Sequence, residues 1–310
     1  MSTPSVSPNA PGETHGLHLG TSQLRFGRVL VGIDFSKQSV QALKLAIALC
    51  ESFHSKLFLV HAAFPPSYGI GADLVPFEVL DHDLVVAKAE VAMTIDNEPK
   101  LSTLRPAITV AYDEPVNLIQ HVASKQRVDL IILGSHGATG LERLALGSVA
   151  EAVLHRASCP VMILGPHCRA GRDLFRSIVF ATDLETTGLR GAQYAASLAK
   201  QAQGSLTLLH VVCRRPELGL PPAVIEHRIK RELQALIPSE LSDTGKTKVR
   251  IEYGRPAEAI ATVAQAEGAS LVIVGVQGRS AFADHSPWSM LSRIVRGVKC
   301  PVLGVRGRLI

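Results

Sequence analysis

Apolar residues along this chain fall into two alternating patterns. Short continuous runs such as "VLVGI", "KLFLVHA", "VDLIIL" and "CPVMIL" are separated by longer stretches with helical apolar spacing, such as "SVQALKLAIALCESF" and "PVNLIQHVASKQ". A run that is apolar throughout predicts a strand buried on both faces, and helices between such strands predict a parallel sheet covered on both sides. Over the first half the order is strand "VLVGI", helix, strand "KLFLVHA", a helix near 78–98, strand "AITVAY", helix, strand "VDLIIL", helix "SVAEAVLHRA", strand "CPVMIL".

The pattern is then written a second time. "RVLVGIDFSKQSVQALKLAIALCESFHSKLFLVHA" from Arg28 aligns without a gap on "SIVFATDLETTGLRGAQYAASLAKQAQGSLTLLHV" from Ser177, placing Asp34 on Asp183 and His61 on His210. A second gapless block pairs "AYDEPVNLIQHVASKQRVDLIILGSHG" with "EYGRPAEAIATVAQAEGASLVIVGVQG" and runs on through "SCPVMIL" and "KCPVLGV". The expected organisation is a disordered tail over 1–27, a first unit over 28–165, a linker over 166–175 within and just after "GPHCRAGRD", and a second unit over 176–306. The expected fold is α/β: two open five-stranded parallel sheets of Rossmann-like type, arranged as a tandem pseudo-dimer. In such sheets ligands bind beyond the carboxyl ends of the strands, at the topological switch point. Asp34 and Gly134 both lie there, just after the first and fourth strands.

Composition narrows the function classes. The 310 residues are 46% hydrophobic and 19% charged with a net charge of +5, and basic residues are scattered without long runs. That argues against nucleic acid as the main ligand. The five cysteines form no CxxC pair, so neither a disulfide framework nor a zinc site is expected. No apolar stretch approaches the ~20 residues that span a bilayer, and the N-terminal residues lack a signal-peptide pattern, so a cytoplasmic protein with no membrane partner is expected.

The chemistry concentrates in "GSHGATGLERLALGS", residues 134–148. Glycines there let a backbone turn and let a ligand approach closely, while the start of the helix "SVAEAVLHRA" offers unpaired N–H groups and a dipole that favours an anion. Asp34 and Ser148 each have a plainer reading as helix caps. Gly134, Gly137 and Gly147–Ser148 fit G-x2-G-x9-G-[S/T], and with "GIDFS" and "LVHA" the sequence resembles the ATP-binding subgroup of the universal stress protein family.

The resemblance covers both units and implies ATP as cofactor, with Mg2+ as a further expectation. It implies that Gly134, His136 and Gly137 hold ribose and phosphates, and that Gly147, Ser148 and Val149 close round the phosphates. Asp34 would meet the adenine end, with Gly32, Ile33, Ala62 and Leu133 lining the base side. It also implies pairing through the last strands, here within one chain, and leaves a further homodimer open.

The second copy, "GVQGRSAFADHSPWS", keeps Gly275 and Gly278 but has Gln277 for His136 and Trp288, after Pro287, for Gly147. One competent site per chain, in the first unit, is expected. A nucleotide-dependent stress-response or regulatory module is the leading expectation. The alternatives are a slow ATPase or phosphoryl-transfer enzyme, for which His136, Glu142 and Arg143 are the nearby candidates, and a nucleotide-free interaction protein. His61 and His210 are expected to be hydrogen-bonded strand-end residues, not metal ligands. "TGKTK" at 244–248 is no P-loop, because it precedes a strand and Glu240 stands at the first glycine position.

Overall fold

The computed structural model describes residues 24, 26–63, 77–135, 146–169, 171, 173–184, 188–213, 221–237, 245–276 and 287–306. The first unit runs β1 (Arg28–Gly32), α1 (Lys37–Phe53), β2 (Lys56–Ala62), α2 (Phe77–Asp96), α3 (Pro99–Leu104), β3 (Ala107–Ala111), α4 (Pro115–Lys125), β4 (Leu130–Gly134), α5 (Ser148–Arg156) and β5 (Val161–Leu164). The second runs β6 (Ser177–Ala181), α6 (Gly188–Gln201), β7 (Ser205–Val212), α7 (Pro222–Ala235), β8 (Thr247–Tyr253), α8 (Pro256–Ala266), β9 (Leu271–Val276), α9 (Pro287–Gly297) and β10 (Val302–Arg306).

The ten strands form one sheet in the order β3-β2-β1-β4-β5-β10-β9-β6-β7-β8. Each five-stranded half is parallel throughout, and the halves join where β5 pairs antiparallel with β10. The two expected sheets are therefore halves of a continuous one. At the seam Leu303 stands opposite Met162, Val302 opposite Ile163 and Gly304 opposite Val161. The sequence alignment carries Met162 onto Leu303, so a pseudo-two-fold axis passes between these two residues. The carboxyl ends of the two sets of strands consequently face opposite rims of the sheet.

Both faces are covered, which is why the strands read as unbroken apolar runs. On one face α1 and α6 pack with Val29, Val31, Ile132, Ile178, Phe180 and Ile273. On the other, α4, α5, α8 and α9 cover Leu30, Ile131, Ile163, Val179, Val272 and Val302. Aromatic residues tie the margins to this core: Phe26 is buried and meets Phe53 edge-on at 5.6 Å, and Phe53 meets Phe175 at 5.8 Å. Phe26 thus belongs to the packed structure although it falls in the stretch read as tail, and Phe175 likewise although it falls in the stretch read as linker.

The repeat extends to backbone detail. Phe35 and Leu184, aligned residues just past β1 and β6, both take a left-handed φ, 61° and 65°. His54 and Gln203, after α1 and α6, do the same at 52° and 50°. No described helix is long and apolar enough to cross a membrane.

Candidate functional site

In the first half the chain lays strands outward from β1 to β3, then crosses back to place β4 and β5 on the other side of β1. The switch point therefore lies between β1 and β4, paired at Val29–Leu130, Leu30–Ile131 and Val31–Ile132. At its rim the structure assembles Gly32 at the end of β1 with Ile33 and Asp34 just after it, Ala62 from β2, Leu133 and Gly134 from β4, and Gly147, Ser148 and Val149 at the start of α5. His136 and Gly137 lie outside the described residues, as do Glu142 and Arg143.

The loop after β1 is fixed by its own polar side chains. The Asp34 carboxylate accepts from the Ser36 amide at 3.1 Å, and the Asp34 amide donates to Ser39 Oγ at 3.3 Å. Ser36, not Asp34, caps α1: its hydroxyl oxygen accepts from the Ser39 amide at 3.2 Å. Across the rim, His61 Nδ1 donates to the Ile33 carbonyl at 2.8 Å, and its ring lies 4.7 Å from that of Phe35. His210 makes the equivalent bond to the Thr182 carbonyl at 2.9 Å. Both histidines are hydrogen-bonded strand-end residues, and no cluster of metal-ligating side chains occurs among the described residues.

Gly134 has a reason to be glycine that the sequence does not disclose. It does not have a positive φ, and a Cβ there would lie 2.8 Å from Gln38 Cβ, 2.9 Å from the Gln38 carbonyl carbon and 2.9 Å from the Ser39 nitrogen. The close approach it permits is that of α1. Gly32 is similarly pressed, with a Cβ position 2.7 Å from Leu133 Cδ2.

Beyond β4, the fully buried Ser135 donates its amide to Leu164 and accepts at its carbonyl from the Gly147 amide at 2.7 Å. The glycine-rich stretch thus leaves and returns to the sheet at one point. Gly147 (φ −58°, ψ 141°) is the N-cap of α5, and Ser148, read as a cap candidate, is instead the first helical residue and exposed. The amides of Ser148, Val149 and Ala150 have no acceptor among the described residues, as expected at a helix start. The far end of α5 is held differently. The Arg306 guanidinium donates to the His155 carbonyl, and burial, with Arg306 and Arg156 nearby, holds the His155 imidazole below its ordinary pKa.

The second unit departs from this plan. Thr182 Oγ1 accepts from the Leu184 amide at 3.0 Å, a bond that Ile33, at the matching position of the first unit, cannot make. α9 starts at Pro287, so Trp288, at the position of the Gly147 cap, is inside the helix. Gln277 and Gly278 lie outside the described residues.

A model described as the universal stress protein family matches residues 25–165 and again residues 174–306. The chain belongs to the universal stress protein family. A universal stress protein of Mycolicibacterium smegmatis is 26% identical over 295 residues, covering 90% of this chain and 97% of its own length. One from Methanocaldococcus jannaschii is 29% identical over 140 residues, 45% of this chain and 82% of its own. Among solved structures, a universal stress protein from Archaeoglobus fulgidus matches with a TM-score of 0.66 at 21% identity, covering 91% of this chain and 97% of that one. That likeness extends the shared fold across both halves of the sheet.

The sequence reading passed over Ser36, Ser39, Gln38 and Ser135, which shape the rim. Ser36 just before α1 and Ser39 in its first turn, three apart ahead of an apolar helix face, carry a readable capping signal. For Gln38 and Ser135 no local signal exists, because their roles come from packing between α1 and the end of β4.

Proposed function

We propose that the first unit is an adenine-nucleotide site that takes ATP, with Mg2+ accompanying the phosphates, and that the protein acts as a nucleotide-dependent regulatory module of the stress response. The observation that supports this most is the Gly147–Ser135 hydrogen bond. It seats the amides of Ser148, Val149 and Ala150, which have no acceptor among the described residues, at the start of α5 beside the switch point, where a phosphate finds both donors and a favourable dipole. Each helix-end charge interaction is worth only about 0.3–1 kcal/mol, so affinity needs several donors acting together.

In this reading Ser148 and Val149 hold phosphate through their amides, and Ser148 adds its exposed hydroxyl. Gly134, His136 and Gly137 serve the ribose and phosphates. Asp34 faces the adenine end, beside Gly32, Ile33, Ala62 and Leu133. The second unit does not bind in this way, because the residue matching the Gly147 cap is a tryptophan inside α9. The bound nucleotide supplies phosphate charge to be neutralised; the residues named bind and orient it.

The test is extraction and mass identification of nucleotide from the purified chain, repeated on Gly147→Trp. Adenine nucleotide is expected from the wild type and not from the variant, and a titration should saturate at one nucleotide per chain. Equal retention by Gly147→Trp would overturn the assignment.

A further inference from the structure

The seam between the halves obeys a pseudo-two-fold axis, yet the side chains beside it break that symmetry in a complementary way. The gapless alignment places Leu154 on Val295, Ile163 on Gly304 and Gly165 on Arg306. Leu154, on α5, packs over Gly304 of β10. A Cβ on Gly304 would lie 2.7 Å from Leu154 Cδ1 and 3.2 Å from Val276 Cγ2. At the symmetry-related corner the smaller Val295 is matched by Ile163, and all three of Leu154, Val295 and Ile163 are buried. The bulk is thus exchanged: large helix residue over glycine on one side, smaller helix residue with isoleucine on the other.

A second asymmetry reinforces the first. Gly165 lies against the last turn of α9, where a Cβ would be 2.1 Å from the Val295 carbonyl oxygen. That atom is backbone and cannot rotate aside. Its counterpart Arg306 instead extends its guanidinium to the His155 carbonyl at the end of α5, while its own carbonyl accepts from Arg190 Nη1 at 3.2 Å.

We propose that the β5 and β10 edges form a heterotypic pair, each fitted to the other unit's edge and closed to its own kind. A seam between two first units would put Ile163 where Gly304 must be, driving its Cβ and branches into Leu154, twice by symmetry. A seam between two second units would put Arg306 where Gly165 must be, against the Val295 carbonyl, again twice. Overpacking of this kind is destabilising because close-packed side chains have no void to move into. The partner this surface accepts is therefore the opposite unit, from the same chain or by reciprocal exchange with a second copy.

The test uses the full chain. Gly304→Ile gives β10 the residue of β5 and should lower the Tm by at least roughly 3 °C, the shift expected for an overpacked core position in a chain of this size. Adding Leu154→Val reproduces the other corner of the seam, and the double variant should regain at least half of that loss. A Gly304→Ile chain that melts like the wild type would overturn the proposal, and so would a double variant no better than the single one or unable to fold. Met162→Cys gives a second reading, since a β5–β5 seam would set two copies of residue 162 face to face. Under oxidation this variant should form no more disulfide-linked dimer than the wild-type chain; an additional linked dimer would refute the exclusion of like edges.

Discussion

The amide of Gly147 donates to the carbonyl of Ser135 across 2.7 Å, closing a loop whose two ends lie twelve positions apart in the sequence. Ser135 is fully buried, so its carbonyl is shielded from bulk solvent. Gly147 has φ −58°, which proline shares, so Gly147→Pro removes the donor without forcing that dihedral. The substitution should cost about 1 kcal/mol, as for the loss of one buried hydrogen bond. Urea unfolding checks the stability, and nucleotide retention should fall in the same variant, because the start of α5 is no longer tied to the end of β4.

Gly134→Ala separates two reasons for the same glycine. If the residue serves only to turn a loop, alanine is well tolerated, since its φ is not in the left-handed region. The contacts at 2.8–2.9 Å with Gln38 and Ser39 instead require α1 to shift. A loss of about 1–3 kcal/mol is expected from overpacking. A urea midpoint equal to that of the wild type would show that α1 is not pressed against Gly134.

His61→Phe keeps a ring beside Phe35 and removes the donor to the Ile33 carbonyl. About 1 kcal/mol should be lost, as for a single neutral hydrogen bond. The matching change His210→Phe should cost a similar amount, because the bond to Thr182 has the same geometry. Chemical denaturation of the two single variants provides the comparison, and loss of bound metal should accompany neither.

The cysteines predict an alkaline limit to stability. Burial pushes the thiols of Cys50, Cys159, Cys168 and Cys300 up to about 12, with the neighbouring Cys300 adding to the effect at Cys168. In the unfolded chain they ionise near their ordinary value of about 8.5. The folded state therefore holds protons that the unfolded state releases. The stabilisation is complete below the ordinary value and is lost progressively as pH rises toward 12. Urea midpoints should decline between pH 8 and 10, and Cys→Ala changes at these positions should flatten the decline. At pH 8 a thiol reagent should label the exposed Cys213 promptly and reach the buried Cys50 and Cys300 only after unfolding.

Much of this was readable in the sequence, for a physical reason. Strands buried on both faces must be apolar throughout, so β1, β4 and β9 stand out, and duplication supplies a second reading of each. What escaped reading depends on contacts between distant segments. The short helix α3 has only six residues and too little periodicity to register. Gly165 and Gly304 look like ordinary glycines until the seam brings α9 and α5 against them. Ser148 reads as a cap by composition, but the Gly147 bond to Ser135 sets the helix start one residue earlier than that reading allows. Phe26 looks like part of a polar tail because its partners, Phe53 and the core beneath it, are supplied by the fold.

The antiparallel seam also separates the two rims in space. The carboxyl ends of the first five strands open on one side of the sheet and those of the second five on the other. Divergence of the second copy at the end of β9 and the start of α9 therefore falls at the far rim of the sheet from the first unit's switch point, so one rim can drift in sequence without reshaping the other.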